Sequence, residues 1–226
     1  VNDRRTLLAI ILTGMFVTNA VVAELISGKL FTVGPFTLTC GVLLWPVVFL
    51  TTDVVNEYFG RHGVRRLTLT TVVLIGYVFL ILLAAMQVVA APFSPVNDEQ
   101  FTAVFGQGSW IIVGSMTAFA VSQLVDVAVF WVLRRWTGGK MIWLRATGST
   151  GVSQLVDTFV VMGIAFWLPG KLTTVEFLTV SMTNYGYKLI LAIGLTPLVY
   201  AMHAAVRRFL GDATASEMAS EAARLG

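Results

Sequence analysis

The pentapeptide Ser-Gln-Leu-Val-Asp occurs twice, at residues 122–126 and 153–157, each time inside an otherwise apolar run. Within each copy the amide and the carboxylate are three residues apart. On a helix this sets Gln123 beside Asp126 and Gln154 beside Asp157. An amide donates and accepts, whereas an ionised carboxylate only accepts, so each pair suits a planar ligand that presents several N–H groups beside a carbonyl. A purine-like base has such an edge. A carboxylate in hydrocarbon costs about 2.5–3.5 kcal/mol on insertion scales, so two of them argue for a polar cavity or pathway walled by protein. The same pairs could instead hydrogen-bond across a helix bundle, or conduct protons or a small cation, and their spacing is compatible with all of these.

Further polar groups sit in apolar context. Asn19 and Glu24 lie in the first hydrophobic run, Asp53, Asn56 and Glu57 close the second, and Asn184 and Lys188 are four apart in the last. A lysine at depth calls for a carboxylate partner, a ligand contact or a proton-linked role. A static ion pair with Asp126 or Asp157 is the structural alternative. Glu57 precedes Tyr58, Phe59, Gly60 and a basic stretch, which also suits a gate residue. Other chemistries are poorly served. Cys40 is the single cysteine, and no Cys/His cluster has zinc-site spacing. No Gly-x-x-x-x-Gly-Lys-Ser/Thr segment is present to hydrolyse ATP. No identifiable nucleophile accompanies the carboxylates, so neither an enzyme nor a bound cofactor is expected.

The elements that must position these groups are membrane helices. Hydrophobic residues make up 57% of the 226-residue chain against 12% charged, and mean hydropathy is +0.83, which excludes an ordinary soluble domain. At roughly 20 residues per span, the fold expected is an all-α integral membrane protein, a compact bundle of six transmembrane helices. The segments fall at residues 7–26, 36–55, 67–91, 110–133, 144–168 and 178–206. Residues 1–211 are expected to form one six-helix transmembrane domain, with 212–226 a short cytoplasmic tail, either an amphipathic helix or a frayed end. The first run is read as a retained helix and not a cleaved signal. The second contains Gly41, Pro46, Asp53 and Glu57, the marks of a kinked, broken or re-entrant helix. The repeated pentapeptide is compatible with an inverted repeat, although five letters do not establish one.

Eleven Lys and Arg residues fall on one side of this arrangement: Arg4, Arg5, Arg61, Arg65, Arg66, Arg134, Arg135, Lys140, Arg145, Arg207 and Arg208. Lys29 and Lys171 fall near the other. The positive-inside rule places both termini in the cytoplasm. The sequence pI of about 9.2 then reflects topology and anionic headgroups, with no aromatic-basic module for nucleic acid.

Residues 45–60, Trp-Pro-Val-Val-Phe-Leu-Thr-Thr-Asp-Val-Val-Asn-Glu-Tyr-Phe-Gly, resemble the hydrophobic-to-Thr-Asp segment of the queuosine precursor transporter family, also called the vitamin uptake transporter family. The two Ser-Gln-Leu-Val-Asp segments and the stretch from Asn184 to Lys188 extend the resemblance over nearly the whole chain. The resemblance implies a multi-pass protein of the bacterial inner membrane. It implies import of 7-cyano-7-deazaguanine and 7-aminomethyl-7-deazaguanine, bases used upstream of tRNA modification, by a chain that does not itself handle tRNA.

Such bases are apolar on both faces and polar along one edge, so aromatic packing and a few convergent polar groups would bind them. The expected polar lining is Asp53, Glu57, Gln123, Asp126, Gln154, Asp157, Asn184 and Lys188, with Asn19 next. Trp45 and Trp110 are candidate stacking residues, or interfacial anchors. Alternating access is the expected mechanism. A binding subunit energised by a separate ATPase, a proton or small-cation pathway and a non-transporting scaffold are the alternatives. A homodimer is compatible with the sequence.

Overall fold

An apolar 25-residue run builds the first helix, α1 (Asn2–Ile26). The computed structural model describes residues 2–27, 29–33, 36–106, 109–138 and 140–225; the outermost residues of the two expected domains, 1 and 226, lie outside them. After α1 the chain forms a small antiparallel hairpin, β1 (Leu30–Val33) and β2 (Phe36–Thr39), with Leu30 opposite Thr39 and Val33 opposite Phe36. One 3-10 turn, Cys40–Leu43, leads into α2 (Trp45–Ala85). Then come a short helix, α3 (Asp98–Phe105), and the paired helices α4 (Ser109–Trp136) and α5 (Ile142–Met162). A π turn over Gly163–Trp167 ends α5, and α6 (Thr174–Gly194), α7 (Thr196–Leu210) and α8 (Asp212–Leu225) complete the chain.

Four helical stretches among the described residues are long and apolar enough to cross a membrane, and a fifth is formed if α6 and α7, bent by 44° at Leu195, are taken as one span. The expected second span is where sequence and structure part. Half of residues 36–55 is strand and 3-10 turn, and the other half opens α2, which continues into the expected third segment. Pro46 does not kink a helix. It occupies the first turn of α2, where no N–H is needed for an intrahelical bond. The break falls instead at Gly60 (φ 70°, ψ −176°), dividing α2 into residues 45–59 and 61–85.

Gly60 is required there twice over. Its φ lies where L side chains are strained, and a Cβ would come 3.4 Å from the Ala222 backbone of α8. Gly60→Ala is expected to cost about 1–3 kcal/mol, read as a lowered denaturation midpoint in detergent. An unchanged midpoint would mean that the backbone at this bend relaxes freely.

The two halves of α2 have different surroundings. In residues 61–85, Val64, Leu67, Thr68, Thr71, Ile75 and Phe79 are buried, while Leu69, Val73, Tyr77 and Leu80 are exposed. A helix apolar on its exposed face as well as its buried one belongs in lipid. Residues 45–59 are buried almost all round and form the central helix, packed against α1, α4, α7 and α8. Trp45, at its start, lies 5.6 Å from Phe119 midway along α4, and Phe119 lies 6.1 Å from Phe16 midway along α1. The hairpin and 3-10 turn thus return the chain from the end of α1 to mid-height of the bundle. The central helix traverses only the half that ends at Gly60.

Helices α4 and α5 run antiparallel in close contact. A Cβ on Gly114 of α4 would come 3.1 Å from the Ala165 backbone, a tight contact that the π turn would have to relieve by shifting a few tenths of an ångström. The C-terminal stretch is an ordered amphipathic helix. Ala215, Met218 and Ala222 of α8 are buried against the bundle. Glu217 pairs with Arg5 at 2.5 Å, and the Ala219 carbonyl accepts from Arg134 Nη2 at 2.8 Å.

Candidate functional site

The repeated pentapeptides meet face to face and exchange bonds. Ser122 of the first copy donates to Asp157 Oδ1 of the second at 3.3 Å, and Ser153 of the second donates to Asp126 Oδ1 of the first at 3.1 Å. This reciprocity follows from antiparallel helices carrying the same Ser-x-x-x-Asp spacing, and it gives the two segments a local two-fold relation. Asp126 is 2% exposed. Asp157 is also held by Lys188 of α6, Nζ to Oδ2 at 2.8 Å. The ion pair weighed for Lys188 is therefore present, with Asp157 as its partner. Gln123 is buried and accepts from Thr52 of the central helix at 3.3 Å.

The central helix supplies the other half. Thr51 and Thr52 donate to the Val47 and Val48 carbonyls of their own helix at 2.7 and 2.9 Å, which satisfies two hydroxyls in an apolar setting. Asp53 follows, 3% exposed, with Oδ1 buried and no hydrogen-bond partner, and its charged surroundings are Asp126, Arg145 and Glu57. One turn on, Glu57 Oε2 lies 2.9 Å from Arg145 and 3.5 Å from Arg134. Oε2 makes no hydrogen bond of good geometry, so the group is held by charge pairing. Arg145 lies over the Phe130 ring at 5.6 Å and Arg134 over Trp131 at 4.9 Å. Tyr58 and His203 complete this layer, hydroxyl to Nδ1 at 3.3 Å.

A cleft runs along the central helix between α5 and α6. Val42, Trp45, Pro46, Phe49, Thr150, Gln154, Lys188, Leu191, Ala192 and Leu195 line it, around about 350 Å³ of empty space including its open mouth. A second cleft adjoins it and shares Phe49, Thr150, Ala192 and Leu195; Asp53 lies in its wall. Trp45 stacks on Phe49 at 5.9 Å, and both rings border the first cleft. Gln154, 3% exposed, has its Nε2 buried without a partner. Between them the two neighbouring clefts are bordered by Asp53, Gln154, Lys188 and the Trp45–Phe49 pair. Buried polar atoms left without partners cost about 1–3 kcal/mol each, and a ligand offering the complementary groups recovers that cost.

Of the expected lining, Asp53, Gln154, Lys188 and Trp45 border the clefts, and Gln123, Asp126 and Asp157 stand behind them in the helix contacts just described. Glu57 lies toward the basic end. The others lie elsewhere. Asn184 is half-buried on α6 outside both clefts, Asn19 donates to the Met15 carbonyl of its own helix at 2.8 Å, and Trp110 is half exposed at the start of α4. Phe49, Thr150, Arg134 and Arg145 were not singled out from the sequence for this region. For Phe49 the available signal was its position four residues after Trp45, on the same helix face.

The fold and these interior polar groups define a multi-pass helical membrane protein with a narrow cleft in its wall. The chain belongs to the family described as "Putative vitamin uptake transporter", which matches residues 39–202 and so spans the hairpin end, the central helix and both pentapeptides. It is 31% identical over 121 residues to a Bacillus subtilis (strain 168) protein named "Probable queuosine precursor transporter". That match covers 51% of each chain, so it spans about half the length of the curated relative. No solved structure matches it.

Proposed function

We propose that this protein is an inner-membrane transporter that imports 7-deazaguanine precursors of queuosine, with both termini in the cytoplasm. The observation that carries the proposal is that Asp53 and Gln154, each with a buried polar atom that lacks a partner among the described residues, border neighbouring clefts that share Phe49, next to Trp45. The ring N–H and exocyclic amine of a deazaguanine would donate to Asp53, its carbonyl would accept from Gln154, and its faces would pack on the aromatic side. The relative's name points to the same class of cargo.

Alternating access is the mechanism this arrangement favours. Below Asp53, the route toward the basic end meets the Glu57–Arg145–Arg134 group, and Arg134 is tied in turn to the Ala219 carbonyl of α8. On this reading these pairings close the cleft on that side. Opening would part Glu57 from the two arginines and tilt the central helix about Gly60. The Lys188–Asp157 pair lies beside the cargo cleft, where a coupled proton would act.

The test is uptake of labelled 7-cyano- and 7-aminomethyl-7-deazaguanine into proteoliposomes, with guanine as competitor and with or without a proton gradient. Saturable uptake is expected, competed by the unlabelled deazaguanines. Folded protein that transports neither base under any gradient would overturn the autonomous-carrier reading. Substrate-independent ion flux would favour a cation pathway.

A further inference from the structure

Lys188 is a cleft residue as well as the partner of Asp157. Its side chain is 26% exposed, its Nζ is 2.8 Å from Asp157 Oδ2, and it shares the lining of the first cleft with Gln154 and the Trp45–Phe49 wall. Asp157 is engaged twice, by Lys188 and by Ser122. The cleft is therefore polarised along its length. Gln154 and Lys188, both able to donate, border the first cleft, and the carboxylate residue Asp53 borders the adjoining one.

A 7-substituted deazaguanine is polarised in a corresponding way. Its ring N–H and exocyclic amine form a donor edge. The next edge carries the carbonyl oxygen and, beside it, the substituent on carbon 7. A nitrile there is a neutral acceptor, which makes an edge of two acceptors to face two donors. An aminomethyl group there is a cation at neutral pH. With the donor edge on Asp53, that cation would face Lys188, and like charges brought together cost several kcal/mol. To gain a carboxylate it would have to displace Lys188 from Asp157, exchanging one ion pair for another.

We propose that Lys188 is a specificity-determining residue that makes the cleft select the neutral 7-cyano base over the cationic 7-aminomethyl base. The inference rests on the deazaguanine reading above and assigns a preference within it.

Equilibrium binding of 7-cyano-, 7-aminomethyl- and 7-methyl-7-deazaguanine to the purified full chain in nanodiscs tests it. The intact protein is expected to bind the cyano base at least about tenfold more tightly than the aminomethyl base, a difference of about 1.4 kcal/mol. Lys188→Gln keeps a donor and removes the charge, so the ratio should shrink to about threefold or less, chiefly through gained aminomethyl affinity. If that variant loses folded yield, Lys188→Gln combined with Asp157→Asn removes both charges and reads the same ratio. Equal affinities in the intact protein, a preference for the aminomethyl base, or an unchanged ratio in the folded variant would overturn the assignment of Lys188. Binding of none of the three bases by folded protein would instead overturn the deazaguanine reading, and the selectivity with it.

Discussion

Arg145→Met is expected to destabilise the protein by about 3 kcal/mol, the lower end of the 3–5 kcal/mol seen when one partner of a buried ion pair is removed. The side chain it replaces is 2% exposed and 2.9 Å from Glu57, and methionine fills much of the same space. What is lost is the charge, which leaves Glu57 in a buried layer with Arg134 at 3.5 Å as its remaining cation. That remaining partner is why the lower end of the range applies. Adding Glu57→Gln should return part of the loss, because the Glu57 carboxylate no longer stays buried short of its closer partner. Denaturation midpoints in detergent for the two single variants and the double variant give the coupling. If Arg145→Met melts with the parent, the pair does not hold the basic end of the bundle together.

The same arginine shows where sequence reasoning stops. Arg145 and Arg134 count correctly as basic residues near the ends of helices, and a positive-inside tally treats such residues as headgroup contacts. Three-dimensional packing sets both beside Glu57, 88 and 77 residues away in the chain, and nothing in the local pattern announces that pairing. Helices α1, α4 and α5 were legible because length and apolarity decide them. Residues 36–55 were not, because a short apolar run reads alike as strand or helix until its partner is known. Here the partner is β1, whose residues 30–33 pair with β2. Asn56 and Glu57 read as the close of the second span and Arg61 to Arg66 as the connection after it, yet the chain is helical on both sides of Gly60, with Asn56 and Glu57 buried. The pentapeptide repeat pointed to Gln and Asp, yet its serines make the reciprocal bonds, a role that appears only once the helices are known to be antiparallel and in register.

Asp53→Asn separates binding from folding most sharply. Asp53 Oδ1 has no hydrogen-bond partner among the described residues, so replacing that oxygen orphans no described protein donor. It also removes a charge from a side chain that is 3% exposed. Stability should therefore stay level or rise. Cargo binding should fall, because the acceptor for two N–H groups is replaced by a side chain that presents donors of its own. Hydrogen bonds to charged groups contribute about 1.5–3 kcal/mol each, so losing two corresponds to at least about a hundredfold loss of affinity for either deazaguanine. Asn184→Ala and Trp110→Phe, outside both clefts, should leave affinity within about threefold of the parent under the same conditions. Ligand titration and thermal melting of the three variants, side by side in nanodiscs, provide the comparison. Asp53→Asn that binds normally would remove this carboxylate from the cargo site, and Asp53→Asn that fails to fold would make it a structural residue. A stable variant that no longer binds would leave Asp53 as a group maintained at a cost to the fold for the sake of the ligand.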